Sequence, residues 1–267
     1  MENLIREAAR VIMHSKRTIA LTGAGISVES GIPDFRSAQG LWSKYEPSEY
    51  ATIEAFHAHP EKVWEMLWEL EEVIRRAKPN KAHVAIGKLE RLGYLDCVIT
   101  QNVDNLHQEG GSKNVIEYHG NGKSYSCLQC GRKEKTLVKE AGSLPLCACG
   151  GVLKPDVVFF GEAIPPEALN RSFDLATRSE AVIVIGTSAV VYPANTIPSV
   201  AKQKGATIIE INTEETPLTY DVTDLFLQGS AGALAEALVD DVVRLSADES
   251  AQERVEETPK TAADRER

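Results

Sequence analysis

Six short apolar segments rich in β-branched residues recur along the chain, and each has the length of a buried strand. These segments are residues 18–21, 97–100, 115–117, 182–185, 207–211 and 225–227. Segments with the apolar spacing of helices lie between many of them, at residues 81–92, 166–179, 193–204 and 231–245. Strands that alternate with helices form parallel sheets covered on both faces. The pattern therefore predicts an α/β fold with such a sheet.

Polar residues follow four of the predicted strands at the point where each strand ends. They are residues 23–27, 101–104 and 186–188, together with Asn212. Because ligands bind parallel sheets at the carboxyl ends of the strands, we expect these four loops to form one binding site.

The first of these loops carries the most information, because it contains two glycines one residue apart, Gly23 and Gly25. Glycine lets the backbone turn tightly and approach a phosphate, and a helix starting near Ser27 would direct free N–H groups at that phosphate. A packing turn alone would also use glycine. The continuation, Gly-Ile-Pro-Asp-Phe-Arg, adds an acid, an aromatic ring and a guanidinium that a packing turn does not need.

Two segments interrupt the alternation of strands and helices. Residues 36–80 are rich in aromatic residues and helix formers, and residues 120–157 contain four of the five cysteines. We interpret them as a helical module and a zinc-binding module that together form a small second domain. The sheet-forming domain is then discontinuous and consists of residues 1–35, 81–119 and 158–245.

The C-terminal segment, residues 246–267, is charged and contains almost no large apolar side chains. Such a composition cannot bury enough apolar surface to offset the entropy of ordering. We therefore predict a disordered charged tail.

Four cysteines lie close together in the chain as C-x2-C, sixteen residues and C-x-C: Cys127, Cys130, Cys147 and Cys149. Paired cysteines in a chain without a secretion signal indicate metal binding before disulfides. Four thiolates close a tetrahedral zinc site and leave no position for water, so the predicted zinc is structural. The alternative is four free buried thiols. Cys97 lies in a predicted strand and is interpreted as a core residue.

Three further segments have both a functional and a structural interpretation. His119 ends a strand and would suit a general base, but a lone histidine is more often a satisfied interior residue. Asn102 and Asp104 would suit ribose hydroxyls or a carboxamide, or they cap a helix. Residues 155–162 form an apolar strand ending in glycine, which would pair with an extended peptide or be an ordinary edge strand.

Composition and charge narrow the classes of function. The 267 residues are 43% hydrophobic and carry a net charge of −10, which argues against nonspecific DNA binding and favours a cationic substrate. No apolar run reaches membrane-spanning length, and the N-terminal residues read as an amphipathic helix rather than a secretion signal. We expect a cytoplasmic protein.

Several motifs occur together in one order: GAGISVESGIPDFR, TQNVDNLH, YHG, the four cysteines, VVFFGE, GTSAVVYPA and a strand ending in Ile211-Asn212. By these motifs the chain resembles the sirtuins, the NAD-dependent protein deacylases, over about residues 5–245. The resemblance implies a Rossmann-like NAD-binding domain and a smaller domain holding one structural zinc, with NAD in the cleft between them. It also implies that NAD is consumed and that lysine, nicotinamide and O-acyl-ADP-ribose are released.

The resemblance also implies a role for individual residues. The catalytic residues would be His119, as the general base, and Asn102. The implied NAD contacts are Gly23, Ala24, Gly25, Ser27, Asp34, Phe35, Arg36, Trp42, Gln101, Asn102, Val103, Asp104, Gly186, Thr187, Ser188, Asn212 and Ala231. The implied contacts to the acyl-lysine protein or peptide are Val157, Val158, Phe159, Gly161, Val190, Val191 and Tyr192.

The chain departs from one branch of the family in a way that bears on the substrate. Desuccinylase-type sirtuins carry Tyr-x-x-Arg on the helix after the cofactor loop, whereas Leu67 and Leu70 stand at those positions here. No cation is left to pair with a succinyl carboxylate, and burying an unpaired carboxylate is costly. We therefore predict a preference for acetyl or longer apolar acyl groups.

Two other classes of function remain to be distinguished from the deacylase. One is a protein mono-ADP-ribosyltransferase on the same fold, since both reactions cleave the bond to nicotinamide. The other is a noncatalytic NAD sensor or a zinc-ribbon module that binds nucleic acid. The acidic charge and the scarcity of basic clusters speak against nucleic acid. We expect a monomer that binds no specific nucleic acid and no membrane.

Overall fold

The computed structural model describes residues 1–135, 137 and 143–256. Its strands are β1 (Thr18–Thr22), β2 (Cys97–Thr100), β3 (Val115–Glu117), β4 (Gly120–Cys127), β5 (Lys133–Glu134), β6 (Leu153–Val157), β7 (Ala181–Ile185), β8 (Thr207–Asn212) and β9 (Leu225–Gln228). Its α-helices are α1 (Glu2–His14), α2 (Pro47–Tyr50), α3 (Ile53–Ala58), α4 (Pro60–Arg76), α5 (Lys81–Arg91), α6 (Leu106–Glu109), α7 (Pro166–Arg178), α8 (Ile197–Gln203), α9 (Pro217–Asp221) and α10 (Ala231–Glu256). Short 3₁₀ helices cover Ala24–Ser30, Leu41–Ser43 and Ala194–Thr196.

Six parallel strands form the larger sheet in the order β3-β2-β1-β7-β8-β9. The central strand, β1, is buried over its whole length and pairs Ile19 with Cys97 on one side and with Val182 on the other. The chain runs outward from β1 to β3 and then returns to β7, so the strand order reverses between β1 and β7. Such a reversal opens a crevice at the carboxyl ends of the strands. The predicted parallel sheet is confirmed.

Helices cover both faces of this sheet. Ile5 of α1, Leu89 of α5 and Leu238 of α10 belong to the buried cluster on one face. On the opposite face Ala176 of α7 and Ala201 of α8 are buried against the sheet. No α-helix in the described part of the chain is long and apolar enough to cross a membrane.

The smaller sheet is antiparallel, has the order β5-β4-β6, and packs against the helices that precede α5. One buried cluster contains Phe56 and Trp64 from the helices together with Tyr125 and Leu153 from the sheet. Trp64 Nε1 also donates a hydrogen bond of 3.0 Å to the Leu153 carbonyl. This shared core supports a small domain built from residues 36–80 and 120–157, and the boundaries themselves stay a prediction.

Local capping explains where two of these helices begin. The side chain of Thr52 accepts a hydrogen bond from the Ala55 N–H at the start of α3. Asn80 caps α5 by accepting from the N–H groups of Ala82 and His83. Both caps satisfy N–H groups that have no partner within the helix.

Three predicted elements differ from the observed ones. The helix expected near Ser27 is a 3₁₀ helix that begins at Ala24. The segment expected as helix at 193–204 is a 3₁₀ turn followed by α8. The strand expected over 155–162 ends at Val157, because Phe160 leaves the sheet and exchanges backbone hydrogen bonds of 2.9 Å with Ala51 and Ile53.

The C-terminal helix is longer than the pattern predicts. Residues 246–256, for which we predicted disorder, belong to α10, and residues 257–267 of the predicted tail lie outside the described residues. Two contacts attach the extension to the sheet domain. Tyr94 Oη donates a hydrogen bond of 2.8 Å to Ser246 Oγ, and His14 Nε2 lies 3.6 Å from a Glu249 carboxylate oxygen. The composition of the segment alone did not indicate these tertiary contacts.

Candidate active site

A cavity of about 900 Å³ lies at the carboxyl edge of the larger sheet, where the helical module and the 157–164 segment face it. Its volume is in the range of cofactor and small-molecule sites. The predicted site residues that line it are Gly23, Ala24, Gly25, Ser27, Asp34, Phe35, Arg36, Trp42, Gln101, Asn102, Val103, Asp104, His119, Val157, Val158, Phe159, Gly161, Gly186, Thr187, Ser188, Val191, Tyr192, Asn212 and Ala231. Val190 is exposed and does not line the cavity. The structure therefore brings together nearly every residue that was expected to contact NAD or peptide.

The loop after β1, with Gly23 and Gly25, packs closely against the loop after β7, with Gly186, at the floor of the cavity. The Gly25 N–H donates a hydrogen bond of 2.8 Å to the Gly186 carbonyl. A Cβ atom on Gly25 would lie 2.8 Å from Gly186 Cα, and Gly186 itself has a φ of +59°. Only glycine permits this backbone approach. The loops thereby place the N-terminal end of the 3₁₀ helix Ala24–Ser30 at the cavity wall, where a phosphate would meet backbone donors.

The loop that follows the 3₁₀ helix is folded around its own acid. Asp34 Oδ1 accepts hydrogen bonds from the N–H groups of Arg36 and Ser37, at 3.0 and 2.8 Å. The Phe35 ring is 37% exposed and its centroid lies 5.1 Å from that of Trp42. The Asp34 carboxylate therefore shapes the loop, and the loop presents an aromatic pair to the cavity.

A buried hydrogen-bond network joins the loops after β1 and β2. Ser27 Oγ donates to Asp104 Oδ2 at 2.7 Å, and Asn102 Nδ2 donates to Ser27 Oγ at 3.1 Å and to the Gly23 carbonyl at 3.2 Å. The Leu106 N–H donates to Asp104 Oδ1, so the Asp104 side chain also caps the first N–H group of α6. The capping bond supports the structural interpretation of this segment, and Asn102 and Asp104 also line the cavity, so their contact with a ribose or carboxamide stays a prediction.

His119 lies on the cavity wall just after β3, and its environment defines its tautomer. Its Nδ1 is 3.1 Å from the carbonyl oxygen of Gln101, which can only accept a hydrogen bond. Nδ1 therefore carries the proton, and Nε2 has a free lone pair. Burial lowers the pKa of His119 below its ordinary value, and the bond to Gln101 offsets part of this effect. The ring is thus a neutral base at pH 7.

Two buried histidines lie beneath the site, and the sequence did not assign a partner to either. His83 Nε2 is 3.4 Å from Ser27 Oγ, and His107 Nε2 is 2.9 Å from Thr22 Oγ1. The two imidazole centroids are 5.0 Å apart. Burial lowers the pKa of His83 to about 4 and that of His107 to about 3, with His83 adding to the second shift. The spacing of Asn80 and His83 is typical of a helix capping box and so could have indicated a partner for His83, but not its packing against His107.

These two lowered pKa values predict a loss of stability in acid. An unfolded histidine takes up its proton near pH 6.5, whereas the folded ones resist it until about pH 4 and about pH 3. The unfolded state then binds more protons, so stability falls as the pH falls below 6.5. The expected loss is about 2 kcal/mol per histidine between pH 7 and pH 5. Chemical denaturation at the two pH values measures it.

A variant separates these histidines from other acid effects. His107→Gln keeps a side chain that can bond Thr22 but does not titrate, so its stability should change less between pH 7 and pH 5. The exposed His14 provides the matched control, as His14→Gln should retain the pH dependence of the unaltered protein. Equal pH dependence in all three proteins would contradict the assignment.

One wall of the cavity is apolar and comes from α4. Leu67, Leu70 and Ile74 follow one face of that helix and line the cavity together with Met66. Of these, the sequence singled out Leu67 and Leu70 only. Val158 and Phe159 line the cavity as well, and the Val158 N–H donates a hydrogen bond of 2.9 Å to the His119 carbonyl.

The four paired cysteines converge at the end of β4, and none of them lines the cavity. Their sulfur atoms all lie within 4.8 Å of one another. Two tight turns present them, with the Gly131 N–H bonded to the Cys127 carbonyl and the Gly150 N–H bonded to the Cys147 carbonyl. Four converging thiols suit a tetrahedral zinc ion and exclude a bound water. The shorter C-x-C pair therefore still fits the predicted metal centre.

Comparisons with known proteins agree with this fold. The model of the Sir2 family matches residues 23–193. A Pyrococcus abyssi protein named NAD-dependent protein deacylase is 49% identical over 91% of this chain and 99% of its own length. NAD-dependent protein deacylase 1 of Archaeoglobus fulgidus is also 49% identical, over 86% and 94%.

Solved structures give the same result. A Sir2 homologue in complex with NAD has a TM-score of 0.83 at 47% identity and covers 90% of this chain and 94% of its own. A Sir2 structure with p53 peptide and NAD⁺ has a TM-score of 0.80 at 38% identity, over 88% and 97%. The fold and the cavity define a dinucleotide-binding protein of two unequal domains. The chain belongs to the Sir2 family, which confirms the resemblance to the sirtuins.

Proposed function

We propose that the protein is an NAD-dependent protein-lysine deacylase that removes acetyl or other apolar acyl groups. The observation that carries this proposal is the placement of His119. His119 lines a cavity together with the Gly23–Gly25 loop and the 157–161 segment, and the bond of its Nδ1 to the Gln101 carbonyl leaves Nε2 to act as the base. A base, a phosphate-binding loop and a peptide-binding segment thus share one space.

The residues present fit NAD along the whole cavity. Gly23, Ala24 and Gly25 would surround the pyrophosphate, with Ser188 beside them. The N–H groups of Gly23 and Gly25 already bond to the carbonyls of Ile185 and Gly186, so the Ala24 N–H would be the donor from this loop. At the far end Asn212 would bind the adenine-side ribose, and Ala231 would lie by the adenine. Related proteins are named for NAD dependence, and two related structures contain NAD.

The dinucleotide, when bound, supplies an electrophilic ribose carbon that exchanges nicotinamide for the acyl oxygen. The side chains of this protein then have three tasks. His119 Nε2 accepts the proton of a ribose hydroxyl, because burial keeps the ring neutral. Asn102, held against the Gly23 loop, orients the ribose and carboxamide region. The Phe35 and Trp42 rings exclude water from the reacting carbon.

The acylated protein would bind on the other side of His119. Its backbone would pair with the segment 157–161 and with the loop that carries Val190, Val191 and Tyr192. Phe160 and Tyr192 are 43% and 79% exposed, which leaves apolar surface open for a peptide. A related structure contains a p53 peptide, which supports a protein or peptide substrate here. A monomeric, cytoplasmic enzyme without nucleic-acid or membrane partners stays a prediction.

The apolar wall of α4 predicts which acyl groups are removed. Met66, Leu67, Leu70 and Ile74 offer no cation to a succinyl carboxylate, so acetyl-lysine should react at least about tenfold faster than succinyl-lysine. The measurement is incubation with NAD and a panel of acylated peptides, with products identified by mass. Faster removal of succinyl would contradict the prediction. ADP-ribosylated protein in place of O-acyl-ADP-ribose would contradict the proposed function.

Two variants test whether a cation on the same wall creates succinyl-lysine activity. The double variant L67Y/L70R introduces the Tyr-x-x-Arg pattern and should gain that activity. Leu70→Gln removes the same leucine without adding a cation, and it should not gain that activity. A gain of succinyl-lysine activity in both variants would show that the shape of the cavity wall, and not a cation, limits succinyl removal.

A further inference from the structure

A buried lysine lies beside the proposed peptide-binding segment and has no role in the chemistry described above. Lys154 of β6 is 8% exposed, and its Nζ has three hydrogen-bond acceptors. They are the carbonyls of Pro155 and Val157, at 3.1 and 2.9 Å, and Glu162 Oε2 at 3.0 Å. An ammonium group has three donors, so these contacts satisfy it completely.

Glu162 links this ammonium to the far end of the same segment. Its Oε2 also accepts a hydrogen bond of 2.8 Å from the Phe159 N–H. The Glu162 N–H in turn donates 3.0 Å to the Phe159 carbonyl, which closes a tight turn at Gly161. The ion pair therefore connects the end of β6 at Val157 with the turn that ends the segment.

The aromatic side chain of the segment is fixed by the same lysine. Lys154 Nζ lies 4.9 Å from the centroid of the Phe159 ring. That ring is 6% exposed and packs 5.4 Å from Phe56 in the core of the small domain. The segment from Val157 to Glu162 is thus held at three points by this pair: the Val157 carbonyl, the Phe159 N–H and the Phe159 ring.

Stability alone is a poor explanation for this arrangement. The side chains of Lys154 and Glu162 are 11% and 24% exposed, so the pair is mostly buried. Such a pair contributes little net stability compared with well-packed apolar groups, because its charges lose much of their hydration. It does fix the path of the backbone that it bonds. Here that backbone lines the cavity and bonds to the His119 carbonyl through the Val158 N–H.

We infer that Lys154 and Glu162 are positioning residues for the acyl-lysine peptide. They hold the path of residues 157–161, from the end of β6 to the turn at Gly161, so that the peptide would bind beside this segment and next to His119. The inference rests on the proposed function, in which this segment binds the acylated protein. It assigns the pair no contact with NAD, whose proposed contacts lie across the cavity.

The test measures KM for an acetyl-lysine peptide and for NAD separately. Lys154→Met keeps the length of the side chain and removes its donors, so KM for the peptide should rise by about tenfold or more, while KM for NAD stays within about twofold. Glu162→Gln keeps an acceptor oxygen without the charge and should show a smaller, equally selective rise. Lys154→Arg keeps the cation and should recover most of the peptide affinity.

The matched control is Lys133→Met on the neighbouring strand. Lys133 is mainly exposed and lies 3.9 Å from Asp156, so its loss should change neither KM. The inference is overturned if the peptide KM of Lys154→Met is unchanged, or if peptide and NAD are affected equally in both the Lys154→Met and Glu162→Gln variants. Equal effects would indicate a purely structural pair.

A binding measurement separates this inference from the proposed function. Fluorescence anisotropy of a labelled acetyl-lysine peptide, with NAD absent, gives a Kd for each variant without turnover. If the unaltered protein binds the peptide but does not deacylate it, the proposed function fails and the Kd series still decides the role of the pair. If the unaltered protein binds no peptide, the inference is overturned as well.

Discussion

Replacing His119 with alanine is expected to lower deacylation by about a hundredfold to ten-thousandfold, the usual contribution of a general base. The structure is consistent with such an effect, because Nδ1 is bonded to the Gln101 carbonyl and Nε2 remains as the basic nitrogen of a residue that lines the cavity. NAD affinity should change little, since the proposed phosphate and adenine contacts come from other loops. Turnover of an acetyl-lysine peptide and NAD binding by calorimetry measure the two quantities.

The control for this variant is His57→Ala, which removes an exposed histidine from α3. It should keep full activity and the same unfolding temperature as His119→Ala. A second readout is the pH profile of kcat/KM. Since burial lowers the pKa of His119, the acid limb should have its midpoint below pH 6.5. Retained turnover in His119→Ala would remove the basis of the proposed mechanism.

Repeated local patterns allowed the fold to be predicted from the sequence. All six predicted strands of the larger sheet are present, and their bounds move by no more than one residue at either end. β-Branched runs such as 182–185 are buried on both faces, so their strand preference and their tertiary environment agree. The cysteine spacing was equally informative, because two short pairs leave few ways to arrange four thiols.

The features that the sequence did not reveal depend on contacts between distant residues. His83 and His107 look like ordinary helical residues until the fold places their rings 5.0 Å apart beneath the cavity. Lys154 and Glu162 are eight positions apart in the chain, and only the turn at Gly161 joins them. The continuation of α10 beyond Leu245 likewise depends on tertiary contacts at its side.

The candidate site was predicted from the sequence only in part. The loops that line the cavity were predicted as one group, because the ends of parallel strands share an edge. The chemical role of each side chain could not be predicted in the same way. Asp34 and Asp104, for example, both accept hydrogen bonds from backbone N–H groups of their own loops, so a structural task is enough to account for each carboxylate. The roles assigned from the family resemblance stay predictions until variants are measured.

Removal of zinc is expected to abolish activity by unfolding the smaller sheet rather than by removing a reactive group. Much of the core behind this sheet comes from the helices α3 and α4, and two of its buried members are the cysteines Cys127 and Cys147 themselves. A structural zinc contributes on the order of 10 kcal/mol to the folding of comparable small modules. β6 continues directly into the proposed peptide-binding segment, so disorder at the cysteines would reach the cavity. The larger sheet has its own two apolar clusters and should remain folded.

Three measurements check this expectation on the intact chain. Elemental analysis should give about one zinc per chain, because four thiols complete one tetrahedral site. Cys149→Ser should lose the metal, whereas Cys97→Ala should keep it, since Cys97 is buried in β2 and is not part of the cluster. After chelation, amide hydrogen exchange should accelerate in β4 and β6 but not in β1 and β7. Zinc-free protein with full activity and unchanged exchange would show that the cysteine cluster does not support the peptide-binding segment.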